Sequence, residues 1–192
     1  SASPEVRHRE TVDRFVQFWG EMASNWGINR TMAQIHALLY CAEEPLNTDD
    51  IMERLDISRG NANMNLRSLT EWELVDKVHL SGSRKDYFVA QKDVWHVTAQ
   101  IIKERERREI KPIKEQLCEL RDRLRPAGAD SCAELDESDA TLCRRIQNLI
   151  DLMEVFEGFF EALLPLVKAR NAPSIRKRID LARTLDTAEE ER

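Results

Sequence analysis

Residues 57–70 read ISRGNANMNLRSLT, two arginines and three asparagines without a single acidic residue among them. On a helix opened by Ser58, the residues Ala62, Leu66 and Leu69 fall at spacings of four and three and make an apolar stripe. The opposite face presents Gly60, Met64 and Arg67, flanked by Asn61, Asn63 and Ser68, with Arg59 near the start. Arginine forks match guanine O6 and N7, and asparagine amides match adenine N6 and N7, each worth about 1–3 kcal/mol of base discrimination. A cap at Ser58 and the bare backbone at Gly60 allow N–H groups to approach phosphate. Further on, Arg84 and Lys85 sit in SGSRK, a turn-forming run where a cation can enter a minor groove or touch the backbone of a duplex.

These residues need elements to hold them. Asn47 or Thr48 caps a helix with Asp49 and Asp50 in its first turn and Ile51, Met52 and Leu55 as its apolar face. The turn DIS leads at once into the helix at 58–71. After Trp72 and Leu74 the pattern changes to alternation from Val75, which predicts a strand, and DYFVAQ predicts a second one beyond SGSRK. Helix, tight turn, helix and hairpin is the order of a winged helix-turn-helix.

Upstream, Val12, Phe15, Trp19, Met22 and Trp26 form one stripe of a helix from about Glu5 to Trp26, ended by Gly27. A short apolar helix from Thr31, TMAQIHALLYCA, belongs in a core and is broken at Pro45. Downstream, a helix from Asp93 to Arg125 carries Ile110, Ile113, Leu117, Leu120 and Leu124, with a kink or joint at Pro112. After a polar loop at 126–138, a helix at 138–169 alternates Leu142, Ile146, Leu149, Met153, Phe156, Phe160, Leu163 and Val167 by four and three. At 1.5 Å per residue it is about 48 Å long, more than one domain needs, so part of its stripe is expected against a second subunit. Residues 173–187 are expected to form one more short helix before an acidic tail. The fold class is therefore mainly α with a small β-hairpin wing. The expected divisions are an amino-terminal dimerisation helix at 1–30, a winged helix-turn-helix at 31–92 and a helical dimerisation or effector region at 93–192.

The 192 residues are 42% hydrophobic and 33% charged with only 6 Gly and 6 Pro, which excludes disordered and collagen-like classes. No stretch is long and apolar enough for a transmembrane helix, so no membrane partner is expected. A net charge of −6 argues against coating nucleic acid by bulk positive charge. Residues 47–92 carry seven basic and eight acidic groups, so the placement of basic residues must carry any nucleic-acid argument. The run KERERREIK at 103–111 alternates in sign and reads as a solvated helix face with intrahelical pairs.

The stretch from LYCAEEPLNTDDIMERLDISRGNANMNLRSLTEWELVDKV to GSRKDYFVAQKDVW resembles the winged-helix core of the MarR superfamily, and within it the GbsR-type branch of bacterial regulators. The resemblance covers roughly residues 30–95 and is strongest in SRGNANMNLRSL and GSRKDYF. It implies a homodimer held by terminal helices, two winged helices on a pseudo-palindrome, and often a small effector. Its recognition positions map to Ser58, Arg59, Gly60, Asn61, Asn63, Asn65 and Arg67, with Arg84 and Lys85 in the wing; Asn63 stands where related sequences often carry Ser or Thr. The GbsR-type resemblance suggests a quaternary-amine effector, for which Trp19, Trp26, Tyr40, Trp72 and Trp95 are candidate cage aromatics, although core packing is the preferred reading of Trp19, Trp26 and Trp72.

Cys41, Cys118, Cys132 and Cys143 have spacings of 77, 14 and 11, which form no metal pair and no dense disulfide pattern, so a cytoplasmic location is expected. Cys132 stands in the polar loop, without a basic neighbour to activate it as a redox thiol. The scattered His8, His36, His79 and His96 build no metal site, and no nucleophile or phosphate-loop motif occurs, so neither cofactor nor enzymatic activity is expected. The expected function is that of a transcriptional regulator, with repression as the expected sign of action, binding double-stranded DNA as a homodimer. The alternative is a winged-helix and coiled-coil module that docks on proteins.

Overall fold

The computed structural model describes residues 3–125, 132–170, 172–174, 176, 177 and 180. Residues 126–131 of the loop expected at 126–138, and most of the helix expected at 173–187, therefore lie outside the described residues. The chain divides into two compact units, Ser1–Gln100 and Ile101–Arg192.

The first unit starts with α1 (Pro4–Asn25), capped by the Ser3 hydroxyl, and α2 (Arg30–Cys41), capped by Asn29. Gly27 leaves α1 at a φ of 75°, a left-handed conformation that glycine adopts without cost. The inward line of α1 is Val16, Gly20 and Ala23, while Phe15, Trp19 and Met22 of the expected stripe are half-buried and Trp26 is exposed. Small residues hold that line because α2 comes close: a Cβ on Gly20 would lie 2.6 Å from Gln34 Cγ. Helix α1 packs lengthwise on α2 within the first unit, whose boundary falls at Gln100. The apolar α2 is the core, with Ile35, Ala37, Leu38 and Leu39 each almost fully enclosed.

The carboxy end of α2 is closed by a distant side chain. Lys92 Nζ donates to the carbonyls of Leu39, Tyr40 and Ala42 at 2.8, 2.5 and 2.9 Å and lies over the Tyr40 ring. Three helix-terminal carbonyls thereby gain a charged donor. Lys92→Met should lower the unfolding free energy by about 1 kcal/mol, a loss readable as a lower urea midpoint at unchanged slope.

Next come β1 (Leu46–Asn47), α3 (Thr48–Leu55), α4 (Arg59–Glu71), β2 (Val75–His79) and β3 (Asp86–Ala90). The sheet is antiparallel with order β1-β3-β2. The edge strand β1 pairs Leu46 with Phe88 and Asn47 with Tyr87, a pairing too short to leave a sequence pattern. Phe88 and Ala90 point into the core, and Val75 faces Ala90 across the ladder.

Helix α5 (Val94–Arg105) carries the chain into the second unit. The kink expected at Pro112 is a π-helical segment, Glu106–Ile110, followed by α6 (Lys111–Leu124). Proline has no N–H for the Arg108 carbonyl, and Lys111 N–H reaches one residue further back, to Glu106. The charge run there does pair within the helix, Arg105 with Glu109 and both Arg107 and Arg108 with Glu104. Glu104 is not on a solvated face, however, but buried.

Helix α7 (Glu137–Lys168) lies antiparallel to α6, with Lys114 bonded to Glu157 at 2.6 Å and Arg121 to Gln147 at 3.0 Å. Cys132, expected in the polar loop as a thiol without a basic neighbour, is disulfide-bonded to Cys143 in the second turn of α7, so it is not a free thiol. The two cysteines are 11 positions apart, and the bend between the short turn at Cys132 and α7 brings their Cα atoms to 5.7 Å. The buried residues of α7 are Cys143 and Ile150, each one position off the expected stripe, and Val167, which belongs to it; of the rest of that stripe Ile146, Met153, Phe160 and Leu163 are half-buried. Leu142, Leu149, Leu152, Val155, Phe156 and Phe159 stay exposed, because the apolar surface of α7 is wider than one neighbouring helix covers. No described helix is long and apolar enough to cross a membrane.

Candidate nucleic-acid interface

The turn between α3 and α4 is set by local chemistry. Asn47 and Asp50 form a reciprocal capping box at the start of α3. Asp56 takes a left-handed φ of 52°, tolerated by its short polar side chain, and Ile57 N–H returns to the Met52 carbonyl at 3.2 Å. The chain is thus turned within three residues to Ser58, whose hydroxyl caps α4 by accepting from Asn61 N–H.

Helix α4 buries Ala62, Asn65, Leu66 and Leu69 against α2 and α3. Arg59, Gly60, Asn63, Met64 and Arg67 are exposed, and Asn61 and Ser68 are partly so. The outward face is therefore the one the spacing predicts, with one correction. Asn65, carried over as a recognition position, lies on the inward stripe, three residues beyond Ala62 and four before Leu69. Its amide donates to the Asn61 carbonyl at 2.9 Å and to Asn61 Oδ1 at 2.7 Å. It satisfies its own burial and fixes Asn61, and it cannot reach a base. With Oδ1 of Asn61 engaged, the amide N–H groups of that side chain remain as donors.

Arg67 and Arg84 have no hydrogen-bond or ion-pair partner among the described residues, and both are exposed. The hairpin tip that carries Arg84 turns at Gly82, where φ is 84°, and is braced by Lys85 N–H to Ser83 Oγ at 3.2 Å. The other two cations, Arg59 and Lys85, both bond Asp49 at the start of α3, Lys85 Nζ at 2.9 Å. Sequence reasoning took Asp49 only for a helix-start acid; its link to residues 10 and 36 positions away is a matter of tertiary fold. On the strand flank of the wing, Lys77 is paired with Asp86 at 2.6 Å.

The aromatic candidates for an amine cage are not brought together. Among the described residues Trp19 contacts Phe15 of its own helix, the Tyr40 ring is covered by Lys92, Trp26 is exposed at the end of α1, and Trp95 is half-buried in the first turns of α5. Trp72, half-buried, closes the carboxy end of α4.

No curated protein matches the chain. A solved structure described as that of a transcriptional regulator superposes with a TM-score of 0.60 at 16% identity, over 83% of this chain and 99% of that one. Such a likeness establishes shared architecture. Residues 26–85 match the family model described as MarR family, a span that contains α2, the helix-turn-helix and the wing up to Lys85. The chain thus has a winged helix-turn-helix with a long carboxy-terminal helix, and between Trp26 and Lys85 it is similar to the MarR family.

Proposed function

We propose that the chain is a sequence-specific double-stranded DNA-binding transcriptional regulator that places α4 in the major groove and the Arg84 tip on backbone or minor groove. The observation that carries this reading is the outward face of α4, free of acids from Arg59 to Thr70 and offering Arg67 and Asn63, next to a wing whose Arg84 has no partner within the described residues. A net charge of −6 does not oppose it, because the two exposed arginines are local and face the same ligand.

The regulator acts as a homodimer in this proposal. Leu142, Leu149, Leu152, Phe156 and Phe159 follow one another on α7 by seven, three, four and three residues and are uncovered in the single chain. That is the spacing of a helix seam awaiting another helix. A dimer covering two adjacent major grooves shuts them to other proteins, which makes repression its simplest action, in the cytoplasm where its operator lies. The GbsR-type assignment rests on SRGNANMNLRSL and GSRKDYF alone, and no quaternary-amine site is proposed.

Two substitutions test the groove assignment. Arg67→Ala should cost the chosen operator about 1–3 kcal/mol and relax preference at one base pair. Arg84→Ala should weaken binding to every sequence and reduce the slope of log affinity against log salt by about 0.9. Normal operator binding by both variants would refute it and favour a protein-docking module, for which the exposed Met64 would be a contact.

A further inference from the structure

Asp49 does a job that no local rule requires. The cap of α3 is already complete, since Asn47 accepts from Asp49 N–H and Asp50 N–H and the Asp50 carboxylate accepts from Asn47 N–H. The Asp49 carboxylate is free for other partners and takes two cations from elements remote in sequence. Its Oδ1 accepts from Arg59 Nη2 in the first turn of α4, and its Oδ2 accepts from Lys85 Nζ in the wing at 2.9 Å. All three side chains are partly open to solvent, with 43% of Asp49, 60% of Arg59 and 58% of Lys85 exposed, so burial does not explain the pairing. The hydrogen bond from Lys85, and after it the one from Arg59, holds the Asp49 carboxyl below the usual carboxylate range, and Asp49 in turn holds the Lys85 ammonium above its ordinary value.

A carboxylate bonded to Arg and Lys occupies the same donors that a DNA phosphate would take. It also joins the start of α4 to the wing, the two elements that must meet groove and backbone at a fixed separation. Resting on the DNA-binding reading above, we propose that Asp49 is a specificity-determining residue, which keeps Arg59 and Lys85 from phosphates of random sequence and holds the Arg59 fork in place for a base edge of the operator. On random DNA, binding relies on phosphate contacts, and two of the four cations of α4 and the wing tip are withheld from it. On the operator, Arg59 remains bonded to Asp49 through one nitrogen while its other N–H groups face the groove, so nothing is given up.

The test compares the full-length wild type with Asp49→Asn, Asp49→Glu and Glu53→Gln on the selected operator and on a scrambled duplex of equal length, over a salt series. Glu53 lies on the exposed side of the same helix with no partner among the described residues, so its substitution removes an equal charge without touching Arg59 or Lys85. For Asp49→Asn the ratio of operator to scrambled affinity is expected to fall about tenfold, and the salt slope on scrambled DNA to steepen by about 1.8 as two cations reach phosphate. Asp49→Glu should restore most of the ratio, and Glu53→Gln should leave it near wild type. An unchanged ratio in Asp49→Asn, or an equal fall in Glu53→Gln, would overturn the proposal. A wild type that prefers no duplex would overturn the DNA-binding reading itself, an outcome visible before any variant is compared.

Discussion

Replacing Leu66 by Ala is expected to destabilise the protein by about 2–5 kcal/mol, the range for a buried leucine truncated in a packed core. Leu66 is 1% exposed and lies in the centre of the inward stripe of α4, with Ala62 and Leu69 on either side and α2 and α3 beneath. Its loss removes buried apolar area and leaves a cavity, since the capped start of α4 and the strand after Leu74 limit how far the helix can settle. Urea unfolding followed by circular dichroism should show the shift as a lower midpoint with unchanged slope. Met64→Ala, on the opposite face of the same helix where the residue is 58% exposed, should change stability by no more than about 0.5 kcal/mol. Equal effects of the two substitutions would mean that α4 is not oriented as described, and that Arg67 and Asn63 are not its outward groups.

The second large effect is acid lability set by His36. The ring lies in the core on α2, 7% exposed, 6.2 Å from the Tyr40 ring and with Nε2 unpaired. Burial, and after it the charge of Lys92, lowers its pKa from 6.5 to about 4. As pH falls below 6.5 the unfolded chain takes up a proton that the folded chain refuses, so this contribution is fully present above pH 6.5 and is lost progressively down to about pH 4. The total is about 3 kcal/mol, and about 2 kcal/mol of it is gone by pH 5. His36→Gln is expected to be less stable than wild type at pH 7.5 and to lose less stability on acidification to pH 5. Parallel pH curves for the two proteins would show that His36 is not held neutral by burial.

Much of the interface was legible because it rests on local rules. Ser58 as a cap, the 62, 66, 69 stripe, the acid-free run to Thr70 and the turn at 81–85 are chemistry within a few residues, and α4, β2 and β3 follow them. Asn65 escaped because an asparagine at the edge of a helical stripe looks equally ready for solvent; only the bonds to Asn61 show that its amide is satisfied inward. Asp49 escaped for a different reason, since an acid in the first turn of a helix already has a sufficient local explanation. β1 was hidden by its length of two residues, and the Cys132–Cys143 bond by a loop whose path no spacing specifies. On α7 the period of the apolar residues was right, but its breadth concealed which half α6 takes and which half is left uncovered.

The most direct measurement is selection of bound fragments from a random duplex library by the full-length protein at about physiological salt, with the affinity of the winner then followed against salt. Two copies of α4 presented by a dimer should enrich an inverted repeat with half-site centres about one helical turn, roughly 34–36 Å, apart, and the affinity should fall steeply with salt. A library that emerges without any enriched sequence would contradict the account.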